Sequence, residues 1–308
     1  MSRVSVLIPT YRRQDNLMHC LDSLSKQSHQ PDEILIIDGD DTNQLQMYLR
    51  DYLKGALNYK IIKAPKGLTR QRNAGIKEAS GEIIIFIDDD VILDKDYIKE
   101  IISVFQRFPE RIGGVSGSVE VRDISVNPVL RLLMHIYAKI FLLYREGNGK
   151  FQASGFATRL KDCCCKEAKP AEFLFGCNMA FRKEIFKEFQ FDENLYRYMY
   201  MEDDDFAYRL SRKYQNYFTP AAKVIHLGPS EKRDDFVRAH ALIKNFFYLH
   251  KKNFPKTIKY ELAFFWALTG WVFIEFTQAL FFKKIDRIRG LFAGLKEECP
   301  LNKISKRR

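Results

Sequence analysis

Residues 83–90 read Ile83-Ile84-Ile85-Phe86-Ile87-Asp88-Asp89-Asp90. Five apolar residues in succession predict a strand buried on both faces, of the kind found in parallel sheets. Three carboxylates at the end of such a strand are costly unless positive charge sits on them. Mg²⁺ and Mn²⁺ are the usual partners, because they favour carboxylate oxygens and commonly bridge to substrate phosphates. Ordinary helix capping is the competing explanation, but Asp94 already fits that role before Lys95, and capping does not need three acids in a row. Asp90 is the preferred metal ligand, and Asp88 is placed to bond a ribose hydroxyl instead.

Working outward, strands are expected at Val4–Pro9, Glu33–Asp38, Tyr59–Lys63, Ile83–Asp88 and Val115–Arg122. Helical patterns lie between them near Gln14–Lys26, Asn43–Leu53, Thr69–Ala79 and Lys95–Arg107. This alternation predicts an open α/β sheet with right-handed crossovers, whose ligands sit beyond the carboxyl ends of the strands. Pro9-Thr10-Tyr11, Asp38 and Asp88-Asp89-Asp90 all fall at those ends, so they converge on one crevice.

A second acidic cluster, Glu202-Asp203-Asp204-Asp205, opens a helical stretch. One or two acids there would satisfy the helix dipole, whereas four in succession repel one another and suit a general base. Lys66 to Gly75 forms a glycine-flanked turn entering a helix, where Arg70 and Arg72 offer donors to phosphate or sugar oxygens. Gly176-Cys177-Asn178-Met179 interrupts the apolar stretch Phe173–Phe181 with polar groups. His226 follows Val224-Ile225 and is a candidate to ligate the metal or touch a phosphate, although a lone His at a strand end is more often structural.

The chain has 308 residues, 46% of them hydrophobic and 14% aromatic, which excludes a disordered chain. Its net charge is +11, against which both acidic clusters stand out. Cys20, Cys163, Cys164, Cys165, Cys177 and Cys299 form neither a disulfide framework nor a CxxC zinc pattern, so they read as free thiols in a reducing compartment. Val4 to Pro9 is too short for a signal peptide. The expected location is the cytoplasm, at the inner face of the cell membrane.

The membrane expectation comes from the second half. Pro128–Arg145 reads as an amphipathic helix with Arg131, His135 and Lys139 in one basic stripe, either a core helix or a membrane-surface helix. Glu146–Pro170 reads as a mobile loop and Asp234–Lys252 as a second basic helix. Tyr260–Phe282 is long enough to span a bilayer, but it contains Glu261, Glu275 and Gln278. Nine Lys/Arg against three Asp/Glu follow from Lys283 to Arg308. Basic segments on both sides favour an interfacial or re-entrant helix over a crossing, and an anionic membrane over nucleic acid as partner. A wholly protein-packed helix is the plain alternative. The expected division is a catalytic domain at 1–232 and a helical, partly hydrophobic extension at 233–308.

Taken as an ordered set, five segments resemble family 2 glycosyltransferases of the GT-A fold over roughly residues 3–230. They are Val4-Ser5-Val6-Leu7-Ile8-Pro9-Thr10-Tyr11, Gly67–Gly75 with Arg72-Asn73-Ala74-Gly75, Asp88-Asp89-Asp90, Gly176 to Arg182, and Glu202-Asp203-Asp204-Asp205-Phe206. The resemblance implies a Rossmann-like, mostly parallel sheet, a nucleotide-sugar donor, and Mn²⁺ or Mg²⁺ as cofactor. It implies that Pro9, Thr10, Tyr11, Asp38, Arg72, Asp88 and Asp89 line the nucleotide-sugar site, with Asp38 near the base. Asp88 and Asp90 match the family's DxD for ribose and metal, with His226 as a further metal candidate. Asp203 matches the catalytic base, and Asn178 and Glu202 would lie near sugar or acceptor. Asp38-Gly39-Asp40-Asp41 departs from the family's usual Asp-Asp-Gly-Ser, which leaves the nucleobase open. The QxxRW string of processive synthases is absent after Asp205, which favours single addition.

The implied activity is inverting transfer of a sugar, hexosyl or deoxyhexosyl, to a glycan or lipid-linked acceptor in cell-surface polysaccharide synthesis. A sugar-1-phosphate nucleotidyltransferase is a second reading, but Pro9-Thr10-Tyr11-Arg12-Arg13 lacks that class's Gly-rich loop. A non-catalytic nucleotide-sugar-binding membrane protein is a third, disfavoured by the Glu202-Asp203 pair.

Overall fold

The computed structural model describes residues 2–53, 57–108, 112–121, 127–160, 166–198, 200–228 and 234–298. The chain divides into two compact units. The first comprises Met1–Ile124, Leu160–Glu193 and Glu202–Ser230; the second comprises Ser125–Arg159, Asn194–Met201 and Glu231–Arg308. The second unit thus takes in two segments that precede residue 202 as well as the chain from Glu231.

The first unit is built on one mixed sheet. Strands β1 (Val4–Thr10), β2 (Glu33–Asp38), β3 (Tyr59–Lys63) and β4 (Ile83–Ile87) pair in parallel in the order β3-β2-β1-β4. Every residue of β1 and β4 is buried, as their unbroken apolar runs require. Helices α1 (Gln14–Ser25), α2 (Gln44–Leu53) and α3 (Leu68–Glu78) supply the crossovers. Beyond β4 the order continues through β10 (Asn178–Arg182), β6 (Ile112–Val121), β11 (Gln215–His226) and β5 (Val91–Leu93), with β9 (Lys169–Ala171) also on β11. β10 runs antiparallel to both β4 and β6, so parallel pairing within this sheet, among the described residues, is confined to β3-β2-β1-β4 and the β6–β11 contact.

Helix α4 (Tyr97–Arg107) packs Ile98, Ile101, Ile102 and Phe105 into the core, the i, i+3, i+4, i+7 stripe of one helix face. It begins behind Asp96 rather than at Lys95, and Asp94 instead accepts the backbone N–H of Asp96 at 3.2 Å. Helix α3 is unusual because it turns polar residues inward: Thr69, Gln71, Arg72 and Asn73 are all buried. Gly75 lets it approach the sheet, since a Cβ there would lie 2.8 Å from Leu7 Cδ2 and 2.9 Å from Ile37 Cδ1. Helix α6 (Glu202–Ser211) carries the second acidic cluster in its first turn.

The second unit is helical: α5 (Pro128–Ile140), α7 (Asp235–Asn253), α8 (Ile258–Phe281) and α9 (Ile285–Glu298). Phe246, Leu249, Phe264, Ala267, Leu268 and Leu291 form its core. Helix α5 contributes no buried residue, which removes the core-helix reading of that segment. The stretch expected as a mobile loop contains the short pair β7 (Arg145–Glu146) and β8 (Thr158–Arg159) and a bridge from Phe151 to Ala157. The extended run expected from Phe173 is strand only from Asn178. Cys20 and Cys177 are free thiols, while Cys163-Cys164-Cys165, Cys299 and the tail from residue 299 lie outside the described residues.

Candidate active site

The carboxyl ends of β1, β2 and β4 bring the first group together, wholly within the first unit. Thr10 pairs with Asp38 across β1 and β2, and Pro9 with Ile37. Asp38 is buried, with Lys63 Nζ donating to it at 2.8 Å and the Asp40 N–H at 2.9 Å. Beside it, the Arg12 guanidinium at 2.9 Å holds the Asp40 carboxyl well below the usual range, at about 2. Arg12 itself has φ 55°, a left-handed backbone that costs a non-glycine residue energy and marks this turn as constrained. Tyr11 is half-buried, with Lys66 Nζ 3.8 Å from its ring centroid.

The three aspartates after β4 have different surroundings. Asp89 is buried; it accepts from Thr10 Oγ1 at 2.8 Å and from Arg13 Nη1 at 2.8 Å. Burial pushes its carboxyl up to about 6 even though Arg13 and Thr10 pull the other way. Asp90 Oδ1 lies 3.0 Å from His226 Nε2. Burial opposes its ionisation, but His226 and Arg13 outweigh that and hold it below the ordinary range. Asp88 is raised by burial, against the pull of Arg72, which donates to it at 3.2 Å.

Asp88, Asp90 and His226 each offer one ligand atom, and these atoms lie within 4.8 Å of one another. Two carboxylates and one imidazole suit Mn²⁺ well and Mg²⁺ acceptably, so the residues present fit the implied ion. Asp88 thus joins the pair Asp90 and His226 expected from sequence.

The second acidic cluster meets the first through Arg72. This side chain is fully buried and donates from Nη1 to Glu202 Oε1 at 3.0 Å, and from Nη2 to Asp88 and to the Gly176 carbonyl at 2.9 Å. Its guanidinium lies over Phe191 at 5.2 Å and Phe86 at 6.0 Å, two members of an aromatic cluster with Phe181, Phe186 and Phe206. Burial and the neighbouring Asp203 push Glu202 well above the usual carboxylate range, against Arg72. One cation therefore faces three acids, Asp88, Glu202 and Asp203.

Asp203 is held by two backbone donors, the Gly176 N–H to Oδ2 at 3.1 Å and the Asp204 N–H to Oδ1 at 3.0 Å. A Cβ on residue 176 would lie 2.7 Å from Asp203 Oδ2, so only glycine allows this approach. Asp205 is buried against Arg209, which donates from Nη2 at 2.7 Å and from Nε at 3.0 Å, an i,i+4 pair that explains this acid without chemistry.

Asn178 is buried on β10 opposite Ile87, its Oδ1 accepting from the Gly117 N–H at 3.1 Å while Nδ2 has no hydrogen-bond partner among the described residues. Two site residues escaped sequence reasoning. Arg13 bridges Asp89 and Asp90, and Gln71 Nε2 donates to the carbonyls of Thr10 and Ile37 at 2.8 and 2.7 Å, tying α3 to the ends of β1 and β2. Their only sequence signal is proximity to Tyr11 and Arg72. Arg70, singled out with Arg72, instead lies 3.8 Å from Glu193.

Residues 5–189 match the family described as Glycosyl transferase family 2. The chain belongs to that family. Among family relatives, the poly(ribitol-phosphate) beta-N-acetylglucosaminyltransferase TarS of Staphylococcus aureus is 30% identical over 105 residues, 32% of this chain and 18% of the relative. The GalNAc(5)-diNAcBac-PP-undecaprenol beta-1,3-glucosyltransferase of Campylobacter jejuni is 34% identical over 96 residues, 29% of this chain and 30% of the relative. The chain thus matches well under half the length of these curated relatives. Among solved structures, the mannosyltransferase PcManGT from Pyrobaculum calidifontis, in complex with GDP-Man and Mn²⁺, superposes with a TM-score of 0.58 at 15% identity. That match covers 96% of this chain and 86% of the other. TarS 1-349 in complex with UDP-GlcNAc gives 0.57 at 15% identity, covering 96% and 81%. These likenesses establish the GT-A fold of the family 2 chain.

Proposed function

We propose that this family 2 protein is an inverting, single-addition glycosyltransferase acting on an acceptor hydroxyl of a lipid-linked or cell-surface glycan. The observation that carries the reading is the junction at Arg72, where the aspartates after β4 and the Glu202-Asp203 pair meet in one site. Pro9, Thr10, Tyr11 and Asp38 form the nucleotide end, and Asp88 and Asp90 with His226 would hold Mn²⁺ or Mg²⁺ at the diphosphate. A divalent cation there would neutralise charge developing on the leaving diphosphate.

Asp203 is the base. Its two backbone donors fix the carboxylate so that a remaining lone pair can take the acceptor proton as the oxygen attacks the anomeric carbon from the face opposite the diphosphate. One displacement inverts the centre, and no covalent sugar–enzyme bond is needed. Asn178 and Glu202 would serve as sugar or acceptor contacts. In domain terms, residues 1–232 carry the catalytic machinery and 233–308 the helical extension, at the cytoplasmic face of the membrane.

The acceptor class rests on the printed names of relatives, one acting on poly(ribitol-phosphate) and one on an undecaprenol-linked glycan. Incubation with a panel of nucleotide sugars and Mn²⁺ tests the reaction. Release of nucleoside diphosphate, with a product anomer opposite to the donor's, supports it. Release of pyrophosphate, or a product retaining the donor's configuration, overturns it.

A further inference from the structure

Helix α5 exposes Val129, Leu130, Leu132, Leu133, Met134, Ile136 and Ile140, leaving no large apolar residue on it fully covered. A helix of this composition is not stable in water on its own, since its apolar surface is its main source of stabilisation. It leans on α8 within the second unit. Tyr137 Oη donates to the Gly270 carbonyl at 2.7 Å, Trp266 Nε1 donates to the Ile140 carbonyl at 2.8 Å, and the Phe141 and Trp266 rings stack at 4.8 Å.

Helix α8 is long and apolar enough to cross a membrane by length and composition. Its two faces differ, however. Phe264, Ala267, Leu268, Gly270 and Ala279 are buried in the unit, and both of its acids are spent there, Glu261 on His250 and Glu275 on Arg287. The opposite stripe carries Ile258, Leu262, Phe265, Phe273 and Leu280, with Leu262 66% and Phe273 59% exposed. A bilayer-spanning helix would have to strip off its protein-covered side, whereas a helix lying in the membrane plane keeps it.

We infer that α5 and the exposed stripe of α8 form one in-plane docking surface for an anionic phospholipid bilayer. Large exposed apolar residues are clustered on these two helices rather than scattered singly, which marks an interaction face. Charge selects the occupant. Thirteen residues of α5 contain Arg131, His135 and Lys139 and no acid. Exposed Lys256 and Lys259 stand at the start of α8, and Lys283 and Lys284 just past its end. The helix is about 36 Å long at roughly 1.5 Å per residue, so these lysines bracket the apolar stripe at both ends. Cations around an apolar surface, with Trp266 half exposed within it, match phosphate headgroups above acyl chains.

Flotation of the full chain with lipid vesicles tests this directly. The wild type is expected to float with phosphatidylcholine vesicles containing about a third phosphatidylglycerol, and at least about tenfold less with phosphatidylcholine alone. The double variant Leu133→Glu/Phe265→Glu should lose flotation by at least about tenfold, because two exposed apolar anchors are removed. Arg131→Glu/Lys139→Glu should lose the preference for anionic vesicles. Circular dichroism and thermal unfolding confirm that each variant is folded; if the apolar pair does not fold, Ile136→Glu and Leu262→Glu on the same face replace it. Three results would each overturn the inference: no flotation of folded wild type, flotation unchanged in the apolar variants, or membrane association that resists alkaline carbonate, which indicates a span. So would a lipid-free dimer dissociated by the same substitutions, because a second copy would then be the occupant.

Discussion

Arg72 and Glu202 lie 130 positions apart in sequence and meet at 3.0 Å inside the first unit, where Arg72 is fully buried. The pair joins the two acidic clusters, because the other Arg72 nitrogen holds Asp88. A buried cation is tolerated here because three acids face it and an aromatic surface lies under it.

Replacing Arg72 with Met should therefore be costly in two ways. Buried Glu202 and half-buried Asp88 lose their shared donor, and breaking a buried pair such as Arg72–Glu202 costs about 3–5 kcal/mol. Arg72→Lys keeps the charge but cannot reach Glu202, Asp88 and the Gly176 carbonyl together, so turnover should still fall by roughly 10²-fold. Urea unfolding and initial rates measure the two effects; a lysine variant with near-normal turnover would contradict the role.

Gly176→Ala probes the base without touching it. The new Cβ would intrude to 2.7 Å of Asp203 Oδ2 and must push the carboxylate aside. A displacement on the order of 1 Å costs about 10²-fold in rate. The expected result is a large loss of kcat with the nucleotide-sugar Kd little changed.

The pH dependence of stability should carry the mark of Asp89. Its folded-state value, about 6, is above its ordinary 3.8, so between those values the folded state binds more protons than the unfolded one. Stability from this group is present at low pH and is lost as pH rises towards 6. Asn at position 89 can still accept from Arg13 and meet Thr10 without ever ionising. Asp89→Asn should raise the unfolding free energy by up to about 2 kcal/mol at neutral pH relative to wild type, and by much less near pH 4. Urea unfolding at the two pH values decides it, and an advantage that is equal at both, or larger at the acidic one, would contradict the burial argument.

His226 sits at the far end of β11, yet its Nε2 is 3.0 Å from Asp90. His226→Ala should weaken Mn²⁺ binding by at least about tenfold, read by calorimetric titration. Unchanged Mn²⁺ affinity would remove His226 from the ligand set.

Much of the strand frame around this site is legible in the sequence, and the limits are physical. The runs at β2 and β3 were expected with the bounds the structure has: β2 is an apolar stretch buried between its neighbours, and β3 is a short β-branched run at the sheet edge, with no residue fully buried. β5 was missed because three residues carry no period. β11 was seen only at Val224-Ile225; Pro220 and a register shift between Thr219 and Lys223 break its alternation. The insertion of β10 between β4 and β6 is a long-range pairing with no local signature. Arg72 was expected to point at phosphate or sugar, and its grip on Glu202 could not be foreseen, since nothing in the sequence ties position 72 to position 202. The glycine at 176 was noted as part of a polar interruption, but its reason appears only when Asp203 lies against it.

In the proposed reaction Asp203 takes the acceptor proton while the aspartates after β4 serve the donor. Asp203→Asn tests it most directly, because the amide keeps the size and removes the base. Transfer to acceptor should fall by about 10²–10⁴-fold, the range for a lost general base. Nucleotide-sugar affinity in the presence of Mn²⁺ should stay within a few-fold of wild type. Near-normal transfer by the Asn variant would contradict it.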